Sequence, residues 1–128
     1  MSNLLDLISR VFISSIFLFS GINKILNFDN TFQWVEGFNV PGFLLFPAVF
    51  IEIILPILII IGYKTKLAAG ILALFCLVTA FVFHLDFSNQ IQTIALLKNL
   101  GLAGGLILLM VHGPKEFVLF KKKKYVRL

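Results

Sequence analysis

The chain has 128 residues, 59% of them hydrophobic and 13% charged, and its mean hydropathy is +1.02. A soluble domain of this size could not hide so much apolar surface, a disordered chain is poor in it, and the single cysteine, Cys76, excludes a disulfide scaffold and a dithiol redox centre. The net charge of +5 lies between apolar runs and not on a basic face interleaved with exposed aromatics, which sets nucleic acid aside and leaves a one-domain integral membrane protein, residues 1–128.

A membrane helix needs about 20 mostly apolar residues. Four runs qualify: about 5–25, 43–61, 67–85 and 91–111. None alternates polarity as a barrel strand does, so the fold class is an all-α, antiparallel four-helix transmembrane bundle.

The first span is too long for a signal peptide core and no small-x-small site follows it, so it is expected to stay uncleaved. Asp6, Arg10, Ser14, Phe17, Gly21 and Lys24 recur at steps of three and four. That spacing places them on one stripe, expected to face the bundle interior. Lys24, at the end, is read as snorkelling to the interface.

Residues 26–42 mix aromatic and polar side chains, including Phe32, Trp34 and Phe38 among Asp29, Gln33 and Glu36. This pattern predicts a short amphipathic helix at the membrane interface, about 30–38, with Asn30 as its cap. Pro41-Gly42 turns the chain into the second span.

Glu52 falls about nine residues into the second span, roughly 13 Å deep at 1.5 Å per residue. Gly62-Tyr63-Lys64-Thr65 makes the next turn, and Ala69, Ala73 and Ala80 line a small-residue stripe in the third span, which ends at His84. After the turn at 86–90 comes the fourth span, where Lys98 lies roughly 10 Å deep, followed by Asn99 and a Gly101-x-x-x-Gly105 motif. Such glycines let helices approach closely, within the bundle or in a homo-oligomer. Gly113-Pro114 ends the helix, and a basic tail over 115–128 carries Lys121, Lys122, Lys123 and Lys124. Those lysines are expected to touch anionic lipid headgroups on the cytoplasmic side, which places both termini in the cytoplasm.

Ionisable groups at membrane depth each need a reason. The similar depths of Glu52 and Lys98 point to an ion pair, with Arg10 and Asn99 near it. Such a pair is either a clamp between helices or part of a functional site. His84 and His112 fall at opposite ends of the bundle, which excludes a bis-histidine haem within one chain, and no metal-ligand cluster is visible.

The chain resembles the DoxX family of small four-helix bacterial membrane proteins. The resemblance runs through Arg10, Ser20-Gly21-x-x-Lys24, Glu52, Gly62-Tyr63-Lys64-Thr65-Lys66 and His84. It continues with Lys98-Asn99, Gly104-Gly105 and Gly113-Pro114, and covers nearly the whole length. The family is named for a link to a thiosulfate:quinone oxidoreductase. The resemblance implies a multi-pass protein of the bacterial inner membrane and a membrane subunit of an oxidoreductase system with partner subunits. Arg10, Glu52, His84, Lys98 and Asn99 would then bind a quinone headgroup or relay its protons. The residues alone carry no cofactor motif and favour a second reading, a non-enzymatic bundle that binds lipid or solute, or whose charges hold its helices together.

Overall fold

The computed structural model describes residues 1–115 and residue 118; the run Lys121 to Lys124 lies outside them. Five α-helices follow in order: α1 (Ser2–Leu26), α2 (Phe28–Glu36), α3 (Leu45–Ile61), α4 (Thr65–Phe83) and α5 (Gln90–His112). One 3₁₀ turn, Gly42–Leu44, leads into α3. α1, α4, α5 and the segment Gly42–Ile61 are long and apolar enough to cross a membrane. The chain is thus an antiparallel bundle of four spanning helices, with no strand among the described residues.

α1 packs chiefly on α3, and α4 chiefly on α5, while α1 and α5 barely meet. The core is built of small side chains: Ala68, Ala69, Ala73, Ala80 and Ala103 are buried, with Leu72, Cys76 and Leu106 among them. Large side chains such as Phe12, Phe19, Phe46 and Phe50 point outward. This inversion suits a bilayer, where close backbone approach holds helices together and lipid accepts the bulky residues. The small stripe of α4 is therefore interior, as its spacing predicts. The Gly101 motif is not: the space beside Gly101 and Gly104 is open, and only Gly105 lies against α1, at Ile13.

The connecting helix begins earlier than predicted. α2 runs from Phe28 to Glu36 after Asn27, so Asn30 sits in its first turn and is not the cap. The Asn27 amide donates backward to Asn23, and makes no cap to α2. Phe28 packs on Phe46, with ring centroids 5.2 Å apart, and Trp34 stacks on Phe83 at 4.8 Å. These contacts lay α2 across the end of the bundle where α1 stops and α3 begins. Asp29, Asn30, Gln33 and Glu36 face outward.

At the opposite end α3 closes in a Schellman pattern. Gly62 adopts φ +78°, a left-handed conformation that glycine takes without steric cost. Its N–H donates to Ile59 O, and the N–H of Tyr63 donates to Leu58 O.

Candidate functional site

α2 and the adjoining parts of the four spans line a partly open cavity of about 490 Å³. That size suits a small-molecule site. Its walls are largely aromatic and aliphatic, with Phe17 from α1, Trp34 from α2 and Phe75 from α4. Its polar groups are few: Ser20 and Lys24 of α1, Thr31 of α2, Glu52 of α3, Thr79 of α4, Asn99 of α5, and His84.

Glu52 is 3% exposed and holds an ion pair through Oε1 with Nζ of Lys24. The Lys24 side chain is a quarter exposed and passes 5.9 Å from the centroid of the Phe75 ring. Two causes bring Lys24 there. It sits in the last turn of α1, where a cation complements the helix dipole. One turn before it, Gly21 lets α1 approach Glu52 and Ile53 of α3 so closely that a Cβ would lie 2.8 Å from Ile53 Cγ1. The second carboxylate oxygen, Oε2, is buried and has no hydrogen-bond partner among the described residues.

Four residues on from Glu52, Pro56 lies inside α3. Proline has no N–H, so the Glu52 carbonyl receives no i→i+4 helix bond. In a bilayer such a freed carbonyl is tolerated where it is buried in protein or lines a cavity.

Three of the other polar groups have partners of their own. Thr79 Oγ1 donates to Phe75 O at 2.9 Å, and Thr31 Oγ1 to Asn27 O at 2.8 Å. His84 Nδ1 lies 2.6 Å from Gln92 Oε1. That contact engages Nδ1 and leaves Nε2 as the ring nitrogen without a partner among the described residues.

The predicted pairing of Glu52 with Lys98 does not form. Leu96, Asn99, Ala103 and Leu106 make the inner stripe of α5; Lys98, one residue from Asn99 and so about 100° round the helix, is exposed. Similar depth did not imply facing sides. Lys24, read as snorkelling, takes the inward role instead. Arg10 is not near Glu52 either. It is buried at the other end of the bundle, where Nε bonds Asp6 at 2.9 Å and Nη1 bonds Ile59 O and Ile60 O at 3.0 and 2.9 Å. Of the predicted site residues, the cavity brings together Glu52, His84 and Asn99, and leaves out Arg10 and Lys98. Lys24, Trp34 and Thr79 went unnoticed as lining residues; the sequence signals available were the Ser20-Gly21-x-x-Lys24 motif and a proline four residues after a buried carboxylate.

Comparison with known proteins agrees with this architecture. The DoxX family profile matches residues 5–85. Inner membrane protein YqjF of Escherichia coli (strain K12) is 34% identical over 111 residues, covering 87% of this chain and 85% of the relative. Inner membrane protein YphA of the same organism is 31% identical over 115 residues, covering 84% and 82%. No solved structure matches.

Proposed function

The chain belongs to the DoxX family of integral membrane proteins, and from that premise we propose that its cavity binds a quinone-type headgroup as part of an oxidoreductase system of the bacterial inner membrane. The observation that carries this reading is the half-satisfied Glu52 carboxylate, held by Lys24 against an aromatic-walled cavity. A planar ring fits between aromatic walls; its carbonyl form can accept from Lys24, and its hydroxyl form can donate to the second Glu52 oxygen. Lys24 keeps further N–H groups beyond the one given to Glu52, so it can stabilise a carbonyl that gains negative charge on reduction. In this reading α2 lies at the outer interface, and both termini are cytoplasmic.

The test uses Trp34, the sole tryptophan of the chain and a cavity residue. In lipid nanodiscs, its fluorescence should be quenched saturably by a short-chain benzoquinone. Lys24→Met/Glu52→Leu should abolish the saturation. Linear quenching, identical in both proteins, would refute the site.

One observation favours a second reading: the ion pair joins two different helices, α1 and α3. A purely structural clamp predicts that the same double variant binds the quinone unchanged and differs only in stability.

A further inference from the structure

We propose that the cavity selects a ligand that donates hydrogen bonds: a dihydroxy aromatic ring in preference to the matching dione, with Glu52 as the discriminating residue. The inference rests on the reading of the cavity as a small-molecule site.

The reason is the donor that the Glu52 carboxylate lacks. Glu52 Oε1 is taken by Lys24, but Oε2 is buried and has no partner among the described residues. A dione presents only lone pairs to it, while a hydroxyl supplies the missing proton. The two cavity threonines repeat the pattern. Each spends its one hydroxyl proton on a carbonyl of its own chain, Thr31 on Asn27 and Thr79 on Phe75. Toward a ligand each threonine oxygen can therefore only accept. His84 Nδ1 is engaged with Gln92 Oε1, which leaves Nε2 as the ring nitrogen open to a ligand. Against these acceptors stand the donors of three lining residues, the remaining N–H groups of Lys24, the indole N–H of Trp34 and the weak thiol of Cys76, while the side chains of Ser20 and Asn99 serve in either sense. The number of groups does not decide the matter; the strongest acceptor does, because the Glu52 oxygen is the one that is buried and lacks a donor.

Specificity of this kind is large, because a site built around a buried polar group rejects the analogue that leaves the group unpaired. Calorimetry on the full chain in lipid nanodiscs tests it with three probes: tetramethylhydroquinone under argon, its dimethyl ether, and tetramethylbenzoquinone. The diol should bind about tenfold more tightly, or better, than either other probe, as expected for one charge-assisted hydrogen bond. Glu52→Gln should shrink that ratio toward unity. If Glu52→Gln does not fold, Thr79→Val removes one acceptor without touching the ion pair, and should weaken the diol several-fold while leaving the dione unchanged. A dione that binds as tightly as the diol overturns this inference and leaves the small-molecule site standing. Absence of saturable binding by all three overturns both.

Discussion

Arg10 is 2% exposed, yet its guanidinium is well supplied with acceptors. The Schellman turn at the end of α3 serves Leu58 and Ile59, and leaves the Ile60 carbonyl without a backbone donor among the described residues. Arg10 donates to it from a different helix while Asp6 holds the other side of the fork. This cross-helix cap places a cation at the negative end of the α3 dipole. Lysine cannot reproduce a planar fork with one edge on a carboxylate and the other on two carbonyls. Arg10→Lys should therefore cost about 2 kcal/mol, read as a lower unfolding midpoint by circular dichroism in detergent, with the cavity's ligand affinity unchanged. At Lys24 the logic differs, because the partner is a buried charge. Lys24→Met leaves Glu52 unpaired and should cost about 3 kcal/mol, while Glu52→Leu on top should recover part of that loss. Strict additivity in this double-mutant cycle would contradict the pair. The sequence named Glu52 correctly as an interior charge, because a carboxylate nine residues inside an apolar run has few other options. It did not name the partner, since a lysine at a helix end reaches inward or outward with equal ease, and its direction depends on the neighbouring helix.

The helices differ in how much of their packing was readable. α1 carries its interior stripe openly: Arg10, Ser14, Phe17 and Gly21 are its buried residues, as the three-four spacing predicts. α5 hides its own, because it is apolar nearly all round and the glycine motif that catches the eye faces away from the bundle. Periodicity identifies a face only where polar and apolar residues segregate. Two glycines make the contrast measurable. At Gly21 an added Cβ would lie 2.8 Å from Ile53 and 3.2 Å from Glu52, so α1 must withdraw from α3 beside the ion pair. Gly21→Ala should destabilise by about 1–3 kcal/mol and weaken ligand binding as well. Gly101→Ala meets open space and should be neutral, or stabilise by up to about 1 kcal/mol through helix propensity. Equal effects of the two changes in thermal unfolding would contradict the assigned faces. α2 was misplaced by two residues because three asparagines, Asn23, Asn27 and Asn30, all suit a cap, and only docking of Phe28 on Phe46 selects among them.

For the whole molecule the open question is which end faces the cytoplasm. The end opposite α2 carries Lys64, Lys66 and Lys115, with Arg10 just inside, and the tail adds Lys121 to Lys124 and Arg127. The α2 end has Lys24 and, deeper, Lys98, set against Asp29, Glu36, Glu52 and Asp86, and the Lys24 charge is matched by Glu52. Positive loops stay on the cytoplasmic side during insertion, so both termini should be inside and the α4–α5 turn outside. Asn89 suits a probe there: it is exposed at the start of α5, where its side chain accepts the N–H of Ile91 at 2.9 Å. Losing that cap costs about 1 kcal/mol, which leaves the helix seated. In a Cys76→Ser background, Asn89→Cys should react with an impermeant maleimide on intact cells, and Lys64→Cys only after permeabilisation. Replacing Lys121 to Lys124 with glutamine removes about 1 kcal/mol of lipid attraction per residue. It should leave this labelling pattern unchanged, because Lys64, Lys66 and Lys115 still bias the shorter connections. Labelling of Asn89→Cys only after permeabilisation would invert the topology and place the cavity, with α2 across it, on the cytoplasmic side.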